Sequence, residues 1–335
     1  GAEGPDKRRY RSYHPSMKRL LVCLFAVLAL GGSVAQAKVH ANLTDQNLTQ
    51  HNHEALMWRQ LIAAQGNVRA QYNLGVIYAN GQGVPQDYYE ALRWFRLAAA
   101  QGNTLAQFNL GVMYANGQGV PRDYETAAQW FHLAAAKRNA RAQYSLGVMY
   151  ANGQGVTQSF EEAAKWHQLA AAQGVARAQF NLGVLYNNGQ GVPQSYQEAM
   201  KWYLLAASQG FARAQFNLGQ MHEEGRGVPQ DYREAMKWFR LAAVQGYAEA
   251  QNNLGRLYAE GRGVTQDYVR AYMWFNLAAA KGVSAAQRNR DAAATRMTPP
   301  QIAEAQRMAR DCELRDYKSC DEQNAVTEPG SVTPP

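Results

Sequence analysis

The chain has 335 residues, with 34 Lys+Arg against 26 Asp+Glu, a formal net charge of +8 and three cysteines. Hydrophobic residues make up 47% and charged residues 18%, which excludes a wholly disordered chain. No apolar run reaches the roughly 18 residues of a spanning helix, and three cysteines are too few for a disulfide framework or a zinc module.

In chain order, the first segment reads as an address. Gly1 is not an initiator, so residues 1–16 read as an upstream extension before a start at Met17. Lys18 and Arg19 form a basic region, Leu20 to Leu30 an apolar one, and Ala35-Gln36-Ala37 an A-x-A cleavage site. Residues 17–37 are therefore expected to be a signal peptide, which predicts an exported protein, periplasmic in the first reading and secreted in the second. An uncleaved anchor is the alternative, with an apolar stretch of only eleven residues. Cys23 lies inside the apolar region, which argues against a lipoprotein site, and Arg8-Arg9 is a weak twin-arginine signal. Removing residues 1–37 lowers the net charge to +4, so the basicity gives little support to a nucleic-acid partner.

Residues 38–66 read as a partial unit, with a lone helix over 54–65. His51-x-His53 has the residue type for metal but lacks a third ligand, and reads as a solvated segment.

One period governs the rest. Trp58, Trp94, Trp130, Trp166, Trp202, Trp238 and Trp274 stand 36 apart, as do Gly75, Gly111, Gly147, Gly183, Gly219 and Gly255. Fixed self-similarity at this length marks a solenoid. Six units follow, 67–102, 103–138, 139–174, 175–210, 211–246 and 247–282, each read as two helices. In 175–210, Ala178, Leu182, Leu185 and Tyr186 give the first helix one apolar face. Gly189-Gln190-Gly191-Val192-Pro193 stops it. Ser195-Tyr196-Gln197-Glu198 is a capping-box pattern that opens the second, repeated by Asp87/Glu90, Ser159/Glu162 and Asp231/Glu234. Ala199, Trp202, Ala206 and Ala207 supply its apolar face. Gly183 sits mid-helix, where glycine costs about 1 kcal/mol relative to alanine, so a neighbouring backbone or the Trp ring is expected to press on it.

The pattern Ala-x-Ala-Gln-x-x-Leu-Gly-x-x-Tyr-x-x-Gly-x-Gly-Val-Pro-x-Asp-Tyr, followed by Ala-x-x-Trp and Ala-Ala-x-x-Gly, resembles the Sel1-like repeat, a relative of tetratricopeptide repeats. The resemblance covers 67–282 in full. It implies an all-α fold, a right-handed α/α solenoid of six 36-residue helix-turn-helix repeats, with the partial N-terminal unit and a C-terminal helical cap. It also implies a binding scaffold with no cofactor. Arg138 replaces a closing glycine, so Asn139 is expected to take the left-handed conformation there. His222 takes a Tyr slot, and Thr157 and Thr265 take Pro slots. Cysteine-rich relatives, some described as β-lactamases, carry a disulfide in each repeat. No repeat here contains Cys, so that chemistry is not transferred.

The period breaks after Gly282. Residues 283–312 read as capping helices, one over 284–296 and one opened by Thr298-Pro299-Pro300-Gln301. Residues 313–335 read as a flexible tail. Cys312 and Cys320 are expected to form a disulfide in an oxidising compartment, with two free thiols as the alternative.

No S-x-x-K, G-x-S-x-G, H-E-x-x-H or P-loop is present. The Gly-x-Gly loops follow helices and read as turns. Glu223-Glu224 and Asp311/Glu313 read as helix-end charges, and Asp87, Asp123, Asp231 and Asp267 as caps. The expectation is a protein that is not an enzyme and binds neither metal nor nucleic acid.

Binding remains. Arg177 and Asn181 share one face of a first helix, as do Arg69 with Asn73, Arg141 with Ser145, and Arg213 with Asn217, while Asn109 and Asn253 continue the central row. Asn amides can pair with the main chain of an extended peptide, and Arg can fork onto its carboxylates. By resemblance this face is concave and holds a protein or peptide partner. The alternative is that the Asn row bonds to the neighbouring repeat and the Arg row is a solvated face. Asn80, Asn116, Asn152 and Asn188 precede glycine and read as helix ends. The oligomeric state is left open.

Units coupled only to their neighbours should tolerate loss of a whole period. Deleting 139–174 is expected to leave a folded helical protein by circular dichroism, whereas deleting 18 residues is not. Equal loss of helicity in both would count against the array.

Overall fold

The computed structural model describes residues 56–317 and Cys320. The signal segment, His51-x-His53 and the tail beyond Cys320 lie outside the described residues. Residues 1–59 and 60–335 form two units, and the architecture below belongs to the second.

Fifteen helices and no strand occur among the described residues. Helix α1 is described over residues 56–64. Six pairs follow: Val68–Asn80 (α2) with Tyr88–Ala100 (α3), Thr104–Asn116 (α4) with Tyr124–Ala136 (α5), Ala140–Asn152 (α6) with Phe160–Ala172 (α7), Ala176–Asn188 (α8) with Tyr196–Ser208 (α9), Ala212–Glu224 (α10) with Tyr232–Ala243 (α11), and Ala248–Glu260 (α12) with Tyr268–Ala280 (α13). Ser284–Ala294 (α14) and Pro299–Leu314 (α15) close the array. Each second helix packs on the first helix of its own unit and on that of the next. First helices of neighbouring units also touch, α2 with α4 and α6 with α8, more closely than second helices do, so the first helices line the inner side.

Local chemistry sets these boundaries. The Asn67, Asn103 and Asn139 side chains accept from the backbone N–H of Ala70, Ala106 and Ala142, each at 2.9 Å, which starts α2, α4 and α6. Second helices open on Asp or Ser. Ser195 Oγ accepts from Glu198 N–H at 3.2 Å, and Asp87 accepts from Tyr89 and Glu90. Only this half of the expected box forms. Glu162, Glu198 and Glu234 turn instead toward Lys165, Lys201 and Lys237 one turn on. Thr298 does make the reciprocal bond, its N–H donating to Gln301 Oε1 at 2.8 Å. A second expectation is corrected at Arg138. That residue itself takes the left-handed conformation (φ 61°), like the closing glycines, while Asn139 at φ −67° is the following cap.

The mid-helix glycine answers to a different ring from the one expected. A Cβ at Gly75 would lie 2.5 Å from Phe95, the residue after Trp94. Phe131, His167, Tyr203, Phe239 and Phe275 press on Gly111, Gly147, Gly183, Gly219 and Gly255 in the same way. Trp130, Trp166, Trp202 and Trp238 seal the junction with the preceding unit instead. Trp130, for example, packs on the cluster of Leu92, Phe95, Leu110 and Met113.

Successive units are stapled by a buried row that sequence reading missed. Gln71, Gln107, Gln143, Gln179, Gln215 and Gln251 donate Nε2–H to Ala63, Ala99, Ala135, Ala171, Ala207 and Ala243 carbonyls of the preceding second helix, at 3.0–3.3 Å. In four units the Oε1 accepts from the glutamine after the second helix: Gln101, Gln173, Gln209 or Gln245. In the second and sixth units Lys137 and Lys281 stand there. Their Nζ reaches Gly102 and Gly246 carbonyls, and the Gln107 and Gln251 Oε1 atoms have no donor.

The last unit shows what the cap does. Leu97, Leu133, Leu169, Leu205 and Leu241 are 43–49% exposed on second helices, but the equivalent Leu277 is 1% exposed, because α15 packs on α13. Val269 and Met273 precede this leucine by two turns and one turn, where the preceding second helix carries Arg233 and Lys237. Cys312 and Cys320 are joined with Cα atoms 4.9 Å apart, and the Lys281 ammonium sits 4.1 Å from the Tyr317 ring centroid.

Two stability measurements follow from these packing rows. His167 occupies a slot held by Phe in four units, and burial with no partner at Nδ1 drives its pKa down to about 4. The unfolded chain then protonates first, near 6.5, so this group's contribution is complete above that pH and falls as pH drops toward 4. His167→Phe is expected to raise stability at pH 7 by about 1 kcal/mol. It should also abolish about 2–3 kcal/mol of the loss seen in urea titrations between pH 7 and 4.5. Matching pH slopes would refute the assignment. Lys137→Gln restores a donor to Gln107 and is expected to stabilise by about 1 kcal/mol at the urea midpoint.

Candidate partner-binding face

The residues expected to bind lie on the first helices, one turn apart. Arg69, Arg141, Arg177 and Arg213 are exposed at the second position of α2, α6, α8 and α10. Leu105, 50% exposed, and Glu249 hold that position in α4 and α12. Arg69, Arg141 and Arg177 enter no ion pair among the described residues, and Arg213 lies near Tyr247.

One turn on stands the asparagine row: Asn73 exposed, and Asn109, Asn181, Asn217 and Asn253 half-buried, with Ser145 in α6. Where an amide of this row meets a ring, it is the ring of the preceding unit, 14 residues back, and the ring decides what the amide does. The same step sets Asn109 against Phe95 and Ser145 against Phe131, phenyl rings that offer no polar partner. Asn181 Nδ2 lies 3.4 Å from His167 Nε2. Asn217 bonds the Tyr203 hydroxyl, whose pKa burial pushes up to about 12. Asn253 accepts a long contact from Asn252 at 3.5 Å. The bond to the preceding repeat expected as the alternative is therefore made by Asn181 and Asn217, and Asn253 turns instead to Asn252 of its own helix.

The next turn changes along the array. Val76, Val112, Val148 and Val184 give way to Gln220 and Arg256. Arg256 pairs with Glu223 at 2.5 Å, tying α12 to α10, and Glu260 is also paired to Arg262 at 3.0 Å. Between the valine stretch and this ionic end lies a small polar cleft of about 60 Å³, lined by Asn187, Tyr203, Asn217, Gln220, Glu224 and Arg226. Asn80, Asn116, Asn152 and Asn188 end their helices.

The tyrosines at the far end of the first helices are contacts between units, which sequence reading also missed. Tyr114 and Tyr258 hydroxyls accept from Arg96 and Arg240 of the preceding second helix at 2.6 and 3.0 Å. His222 takes this slot where Leu204 supplies no donor, and its buried Nδ1 is without a partner. The 36-residue period plus an 18-residue offset was the available signal.

Among the described residues no three His, Cys, Asp or Glu side chains gather as a metal site, and no helix is long and apolar enough to cross a membrane. The Gly-x-Gly loops are junctions: a Cβ at Gly155 or Gly191 would strike the Tyr124 or Phe160 backbone at 2.2 or 2.1 Å.

Comparison with known proteins assigns the fold. The Sel1 repeat model matches residues 68–103, 104–139, 140–175, 176–211, 212–247 and 248–283. A Sel1 repeat protein from Oxalobacter formigenes is 34% identical, with TM-score 0.58 over 70% of this chain and 99% of its own. A protective antigen of uropathogenic Escherichia coli displaying an SLR fold is 26% identical, with TM-score 0.43 over 84% of each chain. An immunity protein from Pseudomonas aeruginosa is 21% identical, with TM-score 0.38 over 65% of this chain and 83% of its own. A comparison with curated proteins returns no match. Six tandem matches over an all-helical array make this chain a member of the Sel1 repeat family.

Proposed function

We propose that this protein is an exported, non-catalytic scaffold that holds a segment of a partner protein against its first-helix face. The observation that carries the reading is the division of labour between rows. Glycine, ring, Trp, Gln and Tyr rows are consumed by packing, whereas the Arg row and much of the Asn row are not. Four guanidinium groups exposed along one face supply charge without serving the fold. Export rests on the Met17–Ala37 signal pattern. The periplasm is the first compartment proposed, and a secreted factor binding a host protein is the second reading. Osmotic-shock release against appearance in the medium separates them.

The test is affinity capture on the full-length chain from envelope extract and from medium. The comparison is a variant with Arg177, Asn181, Arg213 and Asn217 changed to Ala and with unchanged circular dichroism. A partner captured by the parent and lost by the folded variant is the expected result. A partner retained by it would move the site to the outer face or the loops.

A further inference from the structure

The second position of the first helices reads, from α2 to α12, Arg69, Leu105, Arg141, Arg177, Arg213, Glu249. It is the one row on this face whose side chains vary in charge sign. The fold does not account for it. A cation in the first turn of a helix is unfavourable to the helix dipole, and only Glu249 has the favourable sign. The packing rows hold their chemistry from unit to unit, with Leu74, Leu110, Leu146, Leu182, Leu218 and Leu254 the extreme case.

Spacing turns this row into a register. The first helices α2 and α4, and α6 and α8, are in contact, and an ion pair spans α10 and α12 through Glu223 and Arg256. Packed helices lie about 8–10 Å apart. An extended or polyproline-type chain advances about 3.1–3.4 Å per residue, so it meets a new unit every three residues or so. Resting on the scaffold reading above, we infer that the partner is an extended segment with a charged or apolar residue at every third position. Its pattern complements the row: acidic, apolar, acidic, acidic, acidic, basic. Asn109, one turn deeper, is placed to meet its main chain with its whole amide, Asn181 and Asn217 with the polar atoms left beyond their bonds to His167 and Tyr203, and the valine row offers apolar contact beside them.

The probe is a labelled 16-residue peptide, capped at both ends, with Glu at positions 1, 7, 10 and 13, Leu at 4, Lys at 16 and Ser or Gly between. Its reversed sequence is made as well, because the face does not fix direction. Isomers of identical composition space the same residues at two or four. Fluorescence anisotropy with full-length protein at low salt is expected to favour the three-residue spacing, in one direction, by about tenfold. Arg141, Arg177 and Arg213 changed together to Gln should remove that preference.

A gain-of-function arm guards against misfolding. Leu105→Arg should tighten a peptide with Glu at position 4 and weaken the Leu form. Isomers that bind alike, or a preference that survives the triple Gln variant, would overturn the register. They would leave the scaffold reading to stand or fall on partner capture. Failure of every peptide to bind would overturn the charge row as a recognition element.

Discussion

The array depends on one contact repeated six times, an aromatic or imidazole ring pressed onto a glycine of the facing helix. No side chain can replace that hydrogen, because a Cβ would lie 2.5–2.8 Å from the ring atoms. The glycine weakens the helix it sits in, by about 1 kcal/mol relative to alanine. The close approach lets the two helices bury a leucine and a ladder of alanines between them. Ala91, Ala98, Ala99 and their equivalents, Ala279 excepted, are wholly or nearly wholly buried, and they are small for the same reason as the glycine. Where the ring is imidazole, as at His167, the geometry survives but a polar nitrogen is left without a partner.

Within-unit packing alone would give six separate hairpins. The array becomes one object because apolar clusters span the junctions and a row of polar contacts crosses them. The Gln71 row supplies the polar part, the Nε2 on a carbonyl of the preceding unit in all six units and the Oε1 on a glutamine of its own unit in four. Such bonds are directional, so they fix the rotation between units in a way apolar burial does not. Lys137 and Lys281 show the cost of departing from the pattern, since each leaves a buried carbonyl oxygen unmatched.

The period made the fold legible. Trp and Gly at 36-residue intervals, Asp or Ser before each second helix, and Gly after each first helix placed the elements within a few residues. The pairing of ring with glycine was not legible, because Trp94 and Phe95 are adjacent and a helical reading separates their directions only by about 100°. Arg138 was misread because side-chain preference favours Asn in the left-handed region, whereas the structure needs Asn139 as an N-cap and leaves Arg138 the only closing position. The glutamine row escaped notice because a recurring polar residue in an amphipathic helix looks solvated until its burial is seen. The Arg and Asn rows were legible as a shared face. Their differing neighbours were not, since those depend on whether Phe, His or Tyr fills the ring slot.

The two ends of the inner face differ in kind, and that difference bounds what it can hold. Toward α10 and α12, Glu223, Arg256, Glu260 and Arg262 are already matched to one another. A ligand there would have to displace ion pairs, one of them with Glu223 largely buried, before gaining its own. Toward α2 through α8 the corresponding turn carries only valine, which requires no such exchange. The α12–α13 end is further closed by α14 and α15, which take Leu277 from surface to core, and there Trp274 and Tyr258 are buried as well. Free energy for association is therefore available mainly between α2 and α10. That is the stretch over which Arg69, Arg141 and Arg177 enter no ion pair among the described residues, and it ends at the cleft where Tyr203, Asn217 and Gln220 meet.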